Sequence, residues 1–189
     1  MNRFRKFLRR LERNTEGAIL TEIALSIPLY MVMLMGIVEV GNFLLLHLKL
    51  QHTVVSVSDL ITRDEEISEE VITDIFQAVP QIMAPFPTGE DSVAIVTAIS
   101  QAEDVPSSIF WQRSGGGSLV KVSEFGGEGE AIDLPAGLSL RDDETILATE
   151  IYYSYEPLIF SVFEGYTIRK TSFFRPRIGS LQEIQEDAG

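Results

Sequence analysis

The longest apolar stretch in the chain runs from Ile23 to Leu46, and its only strongly polar residues are Glu39 and Asn42. Its 24 residues exceed the roughly 20 that an α-helix needs to cross a hydrocarbon core ~30 Å thick. Apolar residues continue at helical spacing after Leu46, with no glycine or proline before Pro80. The pattern predicts one helix from about Leu20 to Ile61, which spans a membrane over about residues 23–46 and projects from it beyond.

Neither a soluble core helix nor a removable signal fits this stretch as well as a membrane anchor does. A buried core helix of a soluble protein is usually shorter and has no basic flank. A removable secretory signal has an apolar core of about 7–15 residues followed by a cleavage site of the A-x-A type, and the chain shows neither. The stretch therefore predicts a single-pass anchor that stays in the protein.

The residues after the long helix predict a small antiparallel sheet with one packed helix. Ser68 is a suitable N-cap for a helix with an apolar face from Val71 to Val79, which we expect to end before Pro80. Ser114–Ser118 predicts a hairpin loop. The predicted strands are Val93–Ile99, Ile109–Arg113, Leu119–Ser123, Thr145–Tyr155 and Tyr166–Arg175. The predicted fold class is α+β.

Four segments follow from these patterns and from the charges. They are a basic cytoplasmic leader at 1–17, the long helix at 18–62, an extracytoplasmic α+β domain at 63–178, and an acidic, loosely ordered tail at 179–189.

The charge is divided unevenly between the leader and the rest. Residues 1–17 carry a net charge of +4 and the remaining residues −17. The acidic body argues against nucleic acid as a partner, whereas the basic leader suits the anionic cytoplasmic face of a membrane. The positive-inside rule places residues 1–17 in the cytoplasm and everything after Leu46 on the other side.

The sequence offers little material for chemistry. It has no cysteine and only two histidines, His47 and His52, both on the long helix. The glycines at 115–117 lack the Lys-Ser/Thr of a phosphate-binding loop. The acidic runs at 64–66 and 142–144 lack calcium-loop spacing and are typical of solvated turns. We predict no catalytic, cofactor-binding or metal-binding residue and no enzymatic activity; an envelope enzyme is the least favoured alternative.

Gly36, Glu39 and Asn42 lie at helical spacing within the span and form a stripe of small and polar residues. Such a stripe suits contact with another helix. The alternative is that Glu39 extends its carboxylate to the far interface as an isolated residue. Pro28 removes one backbone donor and favours a bend.

The chain resembles a prepilin, and more narrowly the TadE/TadF family of minor pilins of the Tad (Flp-type) pilus. The resemblance is carried by GAILTEIALSIPL at residues 17–29 and GIVEVG at residues 36–41. At the other end, ATEIYYSYEPL at residues 148–158 and TIRKTSFFRPR at residues 167–177 are similar to the closing strand pair of that family.

The resemblance implies a specific maturation and a set of partners. A prepilin peptidase would cut between Gly17 and Ala18, and Glu22 would neutralise the new N-terminus. The implied partners are other Tad pilins, the pilus assembly machinery and membrane lipid. The implied location is a bacterial inner membrane with the C-terminal domain in the periplasm, and the implied role is pilus assembly for adhesion and surface attachment. The alternative is an uncleaved single-pass envelope protein that binds partners through its acidic domain.

Overall fold

A computed structural model describes residues 15–63, 67–101, 106–135, 137–141, 144–159, 165–176, 181 and 184–185. Most of the predicted leader lies outside these residues. In chain order the elements are α1 (Thr15–Ile61), β1 (Ile67–Ser68), α2 (Glu69–Met83), β2 (Ser92–Gln101), β3 (Ser108–Gly115), β4 (Glu144–Tyr155), β5 (Tyr166–Phe174) and β6 (Ile184–Gln185). The predicted α+β class, with a long N-terminal helix before a small antiparallel sheet, is confirmed.

Helix α1 has two different surroundings along its 47 residues. Most large apolar side chains from Ile19 to Leu45 are exposed, and this part is long and apolar enough to cross a membrane. From Leu46 onward one face is fully buried against the rest of the chain, by Leu46, Leu50, Val54, Val57 and Ile61. These positions repeat every three or four residues, as expected for the core-facing stripe of a helix.

The strands β2 to β5 form one antiparallel sheet in the order β3-β2-β4-β5. β2 and β4 are its central strands and are buried on both faces. In the register of these strands Ser92 lies opposite Tyr153, and Tyr155 lies opposite Tyr166. The start of β2, the end of β4 and the start of β5 therefore lie at the same end of the strands. We call this end of the sheet the proximal edge, because it contacts α1 where the helix enters the domain.

Helix α2 packs beside α1 on one face of the sheet. Its N-cap is Ser68, as predicted, and the Ser68 hydroxyl accepts the Val71 N–H at 3.4 Å. The predicted end before Pro80 is wrong, because α2 continues through Pro80 to Met83. Proline costs one backbone hydrogen bond there, but the added turn brings the fully buried Met83 into the core.

The opposite face of the sheet is covered by irregular chain rather than by helices. The predicted strand at Leu119–Ser123 is wrong: β3 pairs with β2, and the Leu119 N–H is donated to the Ser92 carbonyl instead. The chain over 116–135 and 137–141 then crosses this face. Its apolar side chains pack on Ile99, Ile146 and Ala148 and include Phe125, Ile132, Leu134, Leu138 and Leu140.

Part of the predicted acidic tail is tied to the domain. Leu181 is buried, and its carbonyl accepts the Trp111 indole N–H at 3.0 Å. β6 pairs in parallel with β1. At these positions the structure differs from the expected loose tail, because apolar Leu181 and Ile184 contact the core.

Candidate functional site

The predicted cleavage site lies in the exposed first turns of α1. Gly17, Ala18 and Glu22 are all exposed, and Glu22 follows Ala18 by one helical turn. The Thr21 hydroxyl donates to the Gly17 carbonyl at 2.8 Å. The structure thus brings Glu22 close to the Gly17–Ala18 bond along the helix, and the roles assigned to these residues stay predictions.

Glu39, in the apolar half of α1, accepts three hydrogen bonds from the sheet domain. Its Oε1 accepts the Tyr155 hydroxyl at 2.5 Å and the Leu158 N–H at 3.0 Å. Its Oε2 accepts the Ile159 N–H at 2.7 Å. Three donors, one from the last residue of β4 and two from the chain that follows it, therefore surround one carboxylate on the helix, which is the kind of compensation a carboxylate needs in apolar surroundings.

Strand register and ring packing put these donors in place. The β4–β5 register brings Tyr155 to the proximal edge, and the chain then continues through Pro157, which has no N–H of its own. The Phe43 and Tyr155 rings meet edge to face with centroids 5.4 Å apart, and the Tyr155 and Tyr166 rings do so at 5.9 Å. The aromatic cluster joins α1, β4 and β5 around the Glu39 carboxylate.

Of the predicted stripe of Gly36, Glu39 and Asn42 on α1, only two residues contact the part of the sheet domain that the structure describes. Glu39 and Asn42 face the chain's own domain, whereas a Cβ added to Gly36 would meet no neighbour within 4 Å. Contact of the stripe with another helix stays a prediction. The sequence indicated that a carboxylate in an apolar span needs partners. It did not identify Tyr155 and two backbone N–H groups as those partners.

A cavity of about 400 Å³ adjoins the Glu39 contacts at the proximal edge. Asn42 of α1, the loop Pro85–Pro87 and the end of β4 form its walls. Asp91 and Glu156 contribute acidic groups to the lining, and Tyr153 contributes an aromatic one. Burial, and then the nearby Asp91, raises the pKa of the Tyr153 hydroxyl.

A second carboxylate, Glu150, is fully buried under the irregular chain that covers the sheet. It accepts hydrogen bonds from the hydroxyls of Ser123 and Tyr152 and from Arg169 Nε at 2.7 Å. Arg169 also pairs with the exposed Glu124 at 2.7 Å. The basic strand β5 thus supplies Arg169 as a cross-strand partner of Glu150. Burial, and then the hydrogen bond to Glu150, raises the pKa of Tyr152 to about 12.

The described residues offer no arrangement for metal binding. Within the described ranges, no group of three His, Asp or Glu side chains could hold a metal ion. The acidic runs at 64–66 and 142–144 lie outside the described residues, except for Glu144, which pairs with Arg175 at 2.8 Å. Burial, and then the charge of Lys170, lowers the pKa of the His47 imidazole.

Comparison with known proteins gives one match. Residues 17–56 match the family model described as TadE-like protein. The resemblance to the TadE/TadF family is therefore confirmed over this segment, which contains Gly17, Glu22 and Glu39 and ends in the buried half of α1. No curated protein and no solved structure gives a significant match.

Proposed function

We propose that this chain is a membrane-anchored minor pilin or pseudopilin that takes part in the assembly of a Tad-type pilus. One observation carries the proposal: residues 17–56 match the TadE-like family, and they form a helix whose first half is exposed and apolar enough to cross a membrane. An exposed apolar surface of this length needs lipid or other apolar helices around it.

The proposed location is a bacterial inner membrane, with the N-terminus in the cytoplasm and the sheet domain in the periplasm. The charge division supports this orientation, because residues 1–17 carry a net +4 and the remainder −17. Basic residues beside a span are retained on the cytoplasmic side. Single-pass anchoring also suits the transition at Leu46 from exposed to buried helix.

The proposed maturation is cleavage by a prepilin peptidase between Gly17 and Ala18. Cleavage would remove the basic leader that holds the helix at the cytoplasmic face. The new Ala18 ammonium would then lie one turn from Glu22 on an exposed helix surface. Glu22 would neutralise this charge, either on its own chain or on a neighbouring helix, as α1 leaves lipid and packs against other Tad pilins.

N-terminal sequencing of membrane-extracted protein tests the maturation. In cells that contain the prepilin peptidase the chain is expected to begin at Ala18, and in cells without it at Met1. Gly17→Leu should block cleavage, whereas Gly36→Leu should not, although both glycines lie in α1 with open space around them. Glu22→Ala should still be cleaved but should lower pilus formation.

One structural observation favours the second candidate function, an uncleaved single-pass envelope protein. Gly17 and Ala18 lie within α1, and the Gly17 carbonyl accepts the Thr21 hydroxyl, so a peptidase would have to unwind this turn to reach the bond. An N-terminus at Met1 in the presence of the peptidase, together with normal function of Gly17→Leu, would establish this alternative and reject the pilin proposal.

A further inference from the structure

The chain that follows β4 reaches down from the sheet onto the exposed half of α1. Residues 156–159, which we call the proximal tip, donate the N–H groups of Leu158 and Ile159 to Glu39. The Leu158 side chain is 65% exposed, and Tyr166 at the start of β5 is 49% exposed. Two large apolar or amphipathic side chains are thus open to the surroundings at this edge.

The contact with Glu39 sets the height of the tip along the helix. From Ala18 to Glu39 the helix contains 22 residues, which at 1.5 Å per residue is about 33 Å. The hydrocarbon core of a bilayer is about 30 Å thick. Counted from Ala18 instead of Ile23, where the predicted span begins, the helix brings Glu39, and the tip bound to it, to the far boundary of the core.

The polar groups of the tip have hydrogen-bond partners within the protein, as a position at the boundary of the hydrocarbon core requires. A carboxylate and backbone N–H groups are costly near hydrocarbon when they lack partners. Here Glu39 and the two N–H groups satisfy each other, and the Tyr155 hydroxyl adds a third donor. The Leu158 side chain, which makes no use of these contacts, stays exposed.

We propose that the proximal tip is seated in the bilayer interface, with Leu158 at the boundary of the hydrocarbon and the Tyr166 hydroxyl among the headgroups. The occupant of this surface is lipid, because the surface is continuous with the span through Glu39. Tyrosine is typical of this depth, where its ring meets hydrocarbon and its hydroxyl meets water. The sheet domain then stands on the membrane instead of moving freely above it. This inference rests on the membrane anchoring in the proposed function.

Site-directed spin labelling of the full chain tests the seating, and the absence of cysteine makes single labels possible. The variants are Leu158→Cys, a span reference Val32→Cys, and a control Phe110→Cys. Phe110 is apolar and 44% exposed, and it precedes Trp111, which pairs with Ala98, the partner of Leu147 on β4. That position is about 26 Å along β4 from Tyr155, at 3.3 Å per residue. Each labelled chain is reconstituted into phosphatidylcholine vesicles, and collisions with oxygen and with a water-soluble nickel chelate are measured.

Seating predicts that the label at 158 favours oxygen over the nickel chelate, at a depth between the labels at 32 and 110. Glu39→Ala in the Leu158→Cys background should shift the label several-fold toward the chelate, because the tip is released. A label at 158 as accessible to the chelate as that at 110 would overturn the seating. So would a label shielded from both reagents, which would indicate a protein neighbour. A label at 32 open to the chelate would instead reject membrane anchoring itself.

Discussion

Glu150 and Glu39 both accept hydrogen bonds from several donors, but the two carboxylates differ in burial and in the kind of donor. Glu150 is completely buried among hydroxyl groups and Arg169, beneath the chain that covers the sheet. Glu39 is half-buried and is held in the exposed, apolar half of α1 by Tyr155 and two N–H groups. Removing either carboxylate leaves its donors without an acceptor, which costs more than the hydrogen bonds themselves contribute.

Glu150→Ala is expected to destabilise the domain by about 3–5 kcal/mol, because Arg169 and the Tyr152 hydroxyl would lose their buried acceptor. The measurement is thermal unfolding of the detergent-solubilised chain, followed through the single tryptophan, Trp111, which is buried. Glu124→Ala is the matched control: Glu124 also pairs with Arg169 but is 62% exposed, so its loss should stay below about 1 kcal/mol. Equal effects of the two variants would contradict the assigned role of burial.

Tyr152 gives the domain a pH dependence on the alkaline side. Its pKa in the folded chain is about 12, whereas an unfolded tyrosine titrates near 10. Between these values the unfolded chain releases the proton more readily, so stability falls as pH rises from about 10 to 12. Tyr152→Phe should remove this component, giving a shallower decline of the melting temperature across that window. An unchanged slope in the variant would show that Tyr152 does not titrate differently in the folded state.

Single residues were predictable where a local rule decides them. The Ser68 N-cap followed from the preference of serine for the position before the first turn of a helix. The partners of Glu39 were not predictable, because Tyr155 lies 116 residues away and the other donors are backbone groups, which every residue except proline possesses.

The glycines at 115–117 show how an element can be misjudged from composition. They were expected to form a flexible hairpin loop, but the structure packs them tightly. A Cβ on Gly115 would lie 2.5 Å from the Phe76 ring, and one on Gly117 would overlap the Ser92 carbonyl oxygen. Gly116 has a φ of +74°, a conformation that glycine adopts without strain. These glycines let β3 end against α2 and turn the chain onto the other face of the sheet.

Gly117→Ala is therefore expected to lower stability by about 1–3 kcal/mol, since the backbone must move to admit the methyl group. Gly127→Ala is the control, because a Cβ there meets nothing within 4 Å and the substitution reduces the freedom of the unfolded chain. The free energies of unfolding of the two variants are compared by urea or thermal denaturation. If Gly117→Ala were as stable as Gly127→Ala, the close packing of this turn would be wrong.

The regular elements were easier to predict than the chain between them. α1, β2, β4 and β5 are long and strongly patterned, and each was expected within a few residues of its observed bounds. The covering segment from 116 to 141 has no regular period, since its apolar side chains are placed by contacts with the sheet. No local pattern could show which strand β3 pairs with.

At the scale of the whole molecule, α1 belongs to two environments. Its first half carries the exposed apolar surface, and its second half is part of the domain core. The domain therefore cannot separate from the anchor without losing the helix that fills one face of its sheet. Processing at Gly17 would leave this connection intact, because the whole shared part of α1 lies after the cleavage site.

The side of the membrane on which the sheet domain lies can be tested by cysteine labelling. A membrane-impermeant maleimide added to intact spheroplasts should label Val120→Cys, whose side chain is 92% exposed in the native protein. Val32→Cys should stay unlabelled because the proposed membrane span contains this position. Labelling of Val120→Cys only after the membrane is permeabilised would place the domain in the cytoplasm and reverse the proposed orientation.

Because α1 is continuous from the span into the domain, it also fixes the direction in which the domain projects around the helix axis. Each residue turns a helix by about 100°, so the side of the anchor on which the domain stands is determined by the count of residues between Glu22 and the buried stripe that begins at Leu46. One residue inserted into the span before Glu39 would turn the domain by about 100° around the membrane normal without altering the contacts of Glu39 or any contact inside the domain. When several such helices pack side by side, the helix faces that contact one another would determine the direction in which each domain projects.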